Sequence, residues 1–210
     1  KGKTYTPKSF YESTGLNADD YISLTSYTHH PYYKPFVLEI QDNWRWGQSY
    51  NLPLDEFMEV FDNAIMNGYT IAWGADVSEN GFNRTGIGTL PDMKKAQEDL
   101  TGSDMARWLR LSNSPQFINS PQPQMWCTPE ERQRAYDNWE TTDDHGMQIY
   151  GIAKDQKGTE YYMVKNSWGT VGDYKGIWYV SKAYARYKTM NIVVNKKALP
   201  KEIAKKLGIK

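Results

Sequence analysis

The sequence is poor in cysteine and histidine, with one cysteine, Cys127, and three histidines. A single cysteine excludes an internal disulfide framework and a cysteine-based zinc site. Apolar runs are short, as at residues 192–194, so no segment is predicted to span a membrane. The 25 basic and 25 acidic residues balance, which argues against a broad nucleic-acid-binding surface.

Aromatic residues are abundant, at 14% of the 210 residues, with sixteen Tyr and eight Trp. They can fill a core if their polar tips find partners or water. We see no internal repeat or linker, and we predict a single domain over residues 1–210. Because the chain starts at Lys1 rather than Met, we expect that an upstream part was removed or that the chain belongs to a longer one.

Helices are predicted from their caps and from apolar spacing. The clearest helix covers residues 54–67, where four apolar residues form one stripe: Phe57, Phe61, Ala64 and Ile65. The string Thr128-Pro129-Glu130-Glu131 is a capping box that opens a helix to about residue 139. Shorter helices are predicted at residues 7–11 and 200–207, and helical patches near 93–100 and 104–111.

Apolar runs predict six strands, over residues 36–40, 69–76, 147–153, 159–165, 176–180 and 189–194. Consecutive strands joined by short turns indicate an antiparallel sheet. Residues 80–126 are rich in Gly, Ser, Asn and Pro, and we predict an irregular insertion there. The predicted class is therefore α+β, with a β-rich core and peripheral helices.

His145 lies between a polar loop, residues 141–144, and a strand that reads as buried. Asn166 ends the next strand of the predicted hairpin, so the two side chains could lie side by side. An asparagine oxygen can accept a hydrogen bond from one imidazole nitrogen, which leaves the other nitrogen to serve a nucleophile. From spacing alone, a purely structural histidine is the commoner interpretation, and both readings stay open.

The short sequence motifs around His145 and Asn166 carry further information about this pair. Asp144-His145-Gly146-Met147 and Asn166-Ser167-Trp168-Gly169 resemble the second half of papain-like cysteine peptidases, and the second string is that family's asparagine signature. Residues 174–179 resemble the strand that follows. The strings at residues 5–11, 53–57, 73–77 and 193–200 resemble the bleomycin hydrolase and aminopeptidase C branch. The resemblance extends over residues 6–207 and is poorest at 80–125.

The resemblance implies a fold and a role for several residues. The fold would be the C-terminal β-rich half of the papain-like fold, with an antiparallel, barrel-like sheet. His145 would partner a thiolate and later protonate the leaving amine, while Asn166 would orient it. Trp168 would cover the His–Asn hydrogen bond, or simply pack in the core. Asp144 would tune the ion pair, or be a solvated loop acid.

Substrate contacts are expected from position alone at Gly146, Met147 and Ala75. The expected ligands are peptides, and no cofactor or metal is expected. His29 and His30 lack cysteines or acids at ligand spacing and are interpreted as a loop pair.

The nucleophile that the resemblance calls for does not occur in this chain. Papain-like enzymes place a cysteine at the start of a long helix, in a Gln-…-Gly-…-Cys-Trp setting that is absent here. Cys127 precedes a helix start, but its neighbours do not match, and it is interpreted as a small buried thiol. We expect the helical half, with the cysteine and glutamine, to lie upstream or in a separate bound chain.

Two functions from different classes remain open at this point. The intact protein would be a cysteine peptidase, an aminopeptidase by resemblance with endopeptidase activity left open, and this part alone would be inactive. The alternative is a non-catalytic pseudo-peptidase or a peptide-binding or assembly module.

The resemblance also implies a homo-oligomer, hexameric in relatives, and a cytoplasmic location, with export left open. The C-terminal lysines are interpreted as a solvated helix face rather than a nucleic-acid site.

Overall fold

The computed structural model describes residues 2–98, 100–112 and 114–209; residues 1, 99, 113 and 210 of the predicted domain lie outside that description. The strands are β1 (Tyr21–Thr25), β2 (Pro35–Val37), β3 (Gln48–Asn51), β4 (Ile71–Ala75), β5 (Ile87–Gly88), β6 (His145–Lys154), β7 (Glu160–Lys165), β8 (Ile177–Ser181) and β9 (Thr189–Asn195). The helices are α1 (Pro7–Thr14), α2 (Leu54–Met66), α3 (Gly102–Leu111), α4 (Pro115–Ile118), α5 (Pro129–Asp137), α6 (Lys182–Lys188) and α7 (Lys201–Lys206). Single turns of 3₁₀ helix occur at Ala18–Asp20, Lys95–Gln97 and Lys196–Ala198.

The strands of the described chain form one nine-stranded sheet in the order β2-β3-β1-β9-β4-β6-β7-β8-β5. The meander of β6, β7 and β8 is antiparallel, as predicted. A short turn at residues 155–159 joins β6 to β7, and a longer segment at residues 166–176 joins β7 to β8. Two pairs are parallel, β1 with β3 and β5 with β8, so the sheet is mixed rather than purely antiparallel. The order has two free ends, β2 and β5, so this sheet is open and the barrel-like expectation is not confirmed.

Helix α2 packs its apolar stripe onto the sheet. Phe57, Phe61 and Ala64 are fully buried, as their spacing predicts, and Ile65 is partly buried against the same core. Burying each phenylalanine contributes about 1.5–3 kcal/mol relative to exposure. The helix contacts β6, which begins at His145, and β4, whose last residue pairs with His145.

Several helices and strands are not predicted by the sequence patterns. Strands β1 and β3 lie in stretches for which no strand is predicted, and both are short with mixed burial. Helix α6 carries a lysine or arginine at three of its seven positions, yet six of its residues are buried. The helical patch predicted near 93–100 contains only the single turn Lys95–Gln97 in the described part, while the patch near 104–111 is α3.

No helix in the described ranges is both long and apolar enough to cross a membrane.

Candidate active site

The β6–β7 hairpin brings His145 and Asn166 together. His145 is the first residue of β6, and Asn166 directly follows the end of β7. Because these strands are antiparallel, the start of one and the end of the other share an edge of the sheet. The side chains meet there, with His145 Nε2 at 2.8 Å from Asn166 Oδ1.

The hydrogen bonds of Asn166 determine which imidazole nitrogen carries the proton. The backbone N–H of Ser167 donates to Asn166 Oδ1 at 2.7 Å, which fixes the amide orientation with its oxygen toward His145. An oxygen can only accept, so Nε2 of His145 is the protonated nitrogen of the neutral ring. Nδ1 has no hydrogen bond to any described residue and keeps its lone pair for another group.

Trp168 lies over the His145 ring, with 4.9 Å between ring centroids and 30° between the planes. Behind it, Trp178 is fully buried and meets Trp168 edge to face at 5.5 Å, and Phe82 stacks on Trp178. Trp168 remains 40% exposed, so it shields one side of the imidazole from water and does not pack wholly in the core. The sequence motifs predicted a role for Trp168, whereas Trp178 only falls within the string at residues 174–179 and Phe82 lies outside every motif.

Asp144 is exposed, and its carboxylate binds backbone and hydroxyl groups. It accepts hydrogen bonds from the N–H groups of Val77 and Ser78, at 3.3 and 3.2 Å, and from Thr142 Oγ1 at 2.8 Å. Partial burial of the carboxylate raises the pKa of Asp144, but hydrogen bonds from Thr142 and its other donors outweigh this effect and lower the pKa below the ordinary value. Asp144 therefore stays ionised one residue before His145.

His145 opens into a cleft of about 340 Å³ whose far wall comes from the loop between β2 and β3. Its lining residues are Ser23, Leu38, Ile40, Asp42, Asn43, Gly47, Gln48, Ser49, Gly74, Asp143, His145, Gly146 and Asn191. Of the three expected substrate contacts, Gly146 lines this cleft. The structure does not bring Met147 and Ala75 there, because both side chains are buried in the hydrophobic core.

The cleft is acidic, because its lining includes Asp42 and Asp143 and no lysine or arginine. Burial raises the pKa of Asp143 to about 6, and the negative charges of Asp42 and Asp144 add to the rise. Gly74 makes room for this arrangement, since a Cβ there would stand 2.5 Å from Asn191 Oδ1 and 3.6 Å from Asp143 Oδ1. A cation in the cleft would relieve the repulsion between the two carboxylates.

Cys127 does not line the cleft. Its side chain is 1% exposed and belongs to the hydrophobic core, and burial raises the pKa of its thiol. A buried thiol with a raised pKa is a poor nucleophile. This fits the interpretation of Cys127 as a small core residue.

The adjacent histidines His29 and His30 pack among aromatic rings. His30 stacks on Phe36 at 4.3 Å, and His29 Nδ1 lies 3.0 Å from Gln133 Oε1. Among the residues that the structure describes, no group of three or more His, Cys, Asp or Glu side chains is placed to hold a metal ion.

The model of the Peptidase C1-like family matches residues 1–105 and 130–209, so the chain belongs to that family. This confirms the resemblance to papain-like cysteine peptidases of the aminopeptidase C branch.

Individual relatives agree with the family. Aminopeptidase C of Lactobacillus delbrueckii subsp. lactis is 27% identical over 97% of this chain, and aminopeptidase C of Streptococcus thermophilus is 26% identical over 95%. The crystal structure of PepW from Lactobacillus rhamnosis HN001 superimposes with a TM-score of 0.65 over 99% of this chain, at 23% identity. The chain spans 41% of the length of these two curated relatives and 42% of the PepW chain.

Proposed function

We propose that this chain is the His- and Asn-bearing part of a cysteine peptidase of the aminopeptidase C type. The observation that carries the proposal is the hydrogen bond from His145 Nε2 to Asn166, which leaves Nδ1 unprotonated on a residue that lines a cleft. A neutral imidazole held in one tautomer is what a thiol needs as its base.

The reaction uses this nitrogen twice. In the assembled protein, Nδ1 takes the proton of a cysteine thiol, and the thiolate attacks the peptide carbonyl carbon. The imidazolium returns the proton to the leaving amine, and an acyl-enzyme remains. Nδ1 then takes a proton from water, whose oxygen attacks the thioester, and protonation of the departing thiolate restores the starting state. Asn166 holds the ring throughout, and Trp168 limits the access of water to the His–Asn hydrogen bond.

The thiol must come from elsewhere, because the only cysteine of this chain is the buried Cys127. In our proposal residues 1–210 form one β-rich domain with an irregular insertion near 80–126. A helical half outside the sequence supplies the cysteine. The 41% coverage of curated relatives leaves ample length for such a half.

The acidic cleft supports a preference for free amino termini. Asp143 and Asp42 lie in the same cleft as His145, and both can accept hydrogen bonds from an ammonium group. A peptide whose protonated amino terminus sits between them would place its first peptide bonds near the imidazole. A capped amino terminus would leave the two carboxylates uncompensated.

The isolated 210-residue chain is expected to show no turnover of a fluorogenic aminoacyl amide, because it lacks an accessible thiolate. Adding the cysteine-bearing half should generate thiol-dependent activity, and Cys127→Ala should leave that activity unchanged. Steady-state assays of the chain, the assembled protein and the variant make the comparison. Activity of the isolated chain that disappears in Cys127→Ala would contradict the proposal. An inactive assembled protein that still binds peptides would favour the alternative of a non-catalytic binding module.

Asp143→Asn in the assembled peptidase should lower kcat/KM for substrates with a free amino terminus by about tenfold, since a charge-assisted hydrogen bond of ~1.5 kcal/mol or more is lost. The acid form of Asp143 binds an ammonium poorly, so kcat/KM should fall as the pH drops through about 6. This decrease of kcat/KM at low pH should be absent in Asp143→Asn and for N-acetylated substrates.

The control is Asp104→Asn, which removes an exposed carboxylate of α3 outside the cleft. Equal losses for free and acetylated substrates in Asp143→Asn would refute recognition of the amino terminus by this residue.

A further inference from the structure

Asp76 is a buried acid that ties the end of β4 to the segment before β6. The last paired residues of the two strands are Ala75 and His145, so Asp76 is one position beyond the ladder. Its Oδ2 accepts a hydrogen bond from the backbone N–H of Thr142 at 3.2 Å, and its Oδ1 accepts from Ser78 N and Oγ at 2.9 and 2.8 Å. The carboxylate therefore joins the two chain segments where the backbone ladder stops.

Asp144 makes the reciprocal contacts. It precedes His145, and its carboxylate binds the N–H groups of Val77 and Ser78, which follow β4. Each acid thus holds the backbone of the other's segment. Together they fix the backbone of residues 142–144, which directly precede His145 and so determine the position of its side chain.

Lys188, at the end of α6, holds Asp76 from the side of the core. Its Nζ lies 3.6 Å from Asp76 Oδ2, pairs with Glu79 and donates to the carbonyl of Glu140 at 2.8 Å. The lysine and aspartate side chains are 2% and 1% exposed. Burial raises the pKa of Asp76, the nearby Asp144 adds to the rise, and the Ser78 hydrogen bonds and Lys188 oppose it.

A buried ion pair is often no more stabilising than apolar side chains of the same size. Its presence beside the candidate site suggests a role other than stability. We infer that Asp76 and Lys188 are positioning residues for His145. Lys188 keeps the buried carboxylate of Asp76 in place, and Asp76 fixes the segment that holds the imidazole against Asn166.

The catalytic meaning of this arrangement rests on the proposed function, but the positioning can be measured in this chain alone. The groups that face Asp76 come from three segments. They are Ser78 and Glu79 after β4, Thr142 and Asp144 before β6, and Lys188 on α6, while the hydroxyl of Tyr184 donates to the Asp76 carbonyl at 2.9 Å. His145 contacts Asn166 and Trp168 and lines the same cleft as Asp143.

The first test is an NMR titration of the wild-type 210-residue chain. The amide signal of Thr142 should report protonation of Asp76, with a midpoint above the ordinary aspartate value of about 3.9. Because a raised pKa in the folded state means that protonation does not oppose folding, the chain should remain folded through this transition. A midpoint at or below the ordinary value would contradict the placement of Asp76 as a buried acceptor.

The second test compares the wild-type chain with variants at a single pH of 8. In the wild-type chain, ¹⁵N shifts should show the Nε2–H tautomer of His145. Asp76→Asn and Lys188→Met should give a mixture of tautomers, and the His145 amide should exchange with solvent about tenfold faster, as expected for the loss of about one hydrogen bond. Asp76→Asn keeps the shape of the side chain, so it carries the test if Lys188→Met does not fold.

The matched control is Lys182→Met on the same helix. Lys182 is 15% exposed and pairs with Asp62 and Glu160 at 2.8 and 2.6 Å, away from His145. The Lys182→Met variant should leave the His145 tautomer and the exchange rate of the His145 amide unchanged. Wild-type tautomer and exchange in Asp76→Asn, or an equal change in Lys182→Met, would overturn the inference. An inactive assembled protein would contradict the proposed function and would not affect this result.

Discussion

His145→Gln in the assembled peptidase should lower kcat by a factor of about 10²–10⁴, the usual contribution of a positioned general acid and base. Glutamine can occupy the space beside Asn166, but it cannot take a proton from a thiol or return one to a leaving amine at neutral pH. The loss should fall on kcat, because the residue acts on the reacting bonds rather than on substrate binding. Asn166→Ala should lower kcat by a smaller factor, since the imidazole remains and only its orientation is lost.

The measurement is steady-state hydrolysis of an aminoacyl amide, with the thiol content titrated to show that the nucleophile is intact. His30→Gln serves as the control, because His30 stacks on Phe36 and takes no part in the His–Asn pair. A His145→Gln enzyme within tenfold of wild type would refute His145 as the base.

Arg132→Met should lower the free energy of unfolding by about 3–5 kcal/mol. The Arg132 side chain is 1% exposed, and its guanidinium donates to four backbone carbonyl groups. The acceptors are Ser26 at 2.9 Å, Arg186 at 2.9 Å, Tyr187 at 2.8 Å, and Thr189. It also lies over the Tyr27 ring at 4.7 Å. Methionine would fill much of the volume but leave these buried carbonyls without donors, at a cost of about 1–3 kcal/mol for each that stays unsatisfied.

Equilibrium unfolding in urea, followed by tryptophan fluorescence, measures the difference. Arg134→Met is the matched control, because Arg134 is on the same helix and exposed, and its effect should stay within about 0.5 kcal/mol. A loss below 1 kcal/mol in Arg132→Met would show that water or a local rearrangement replaces the arginine.

Local patterns were enough to predict the parts of the fold that depend on local chemistry. The stripe on α2 and the capping box of α5 are readable because their residues lie within a few positions of each other. The pairing of His145 with Asn166 follows from a hairpin, the most local way to make a sheet. The motif strings favour a catalytic over a structural interpretation of this histidine, and that interpretation stays a prediction.

The parts of the fold and the site that could not be predicted depend on contacts between segments that are distant in the sequence. Asp143 and Asp144 are neighbours of the same type, yet one faces the cleft and the other binds backbone N–H groups, and no local pattern distinguishes them. No local pattern marks Arg132 and Lys188 as buried, because their carbonyl and carboxylate partners come from other parts of the chain. The parallel pair of β1 and β3 likewise requires a register that only the assembled sheet defines.

The outermost strands of the open sheet limit how the protein can associate. Strand β5 has two residues, and β2 has three and begins with Pro35, which has no N–H to donate. Short edges of this kind offer little template for an added strand. Addition of a strand at either end of this sheet is therefore disfavoured, which also makes the sheet a poor starting point for aggregation.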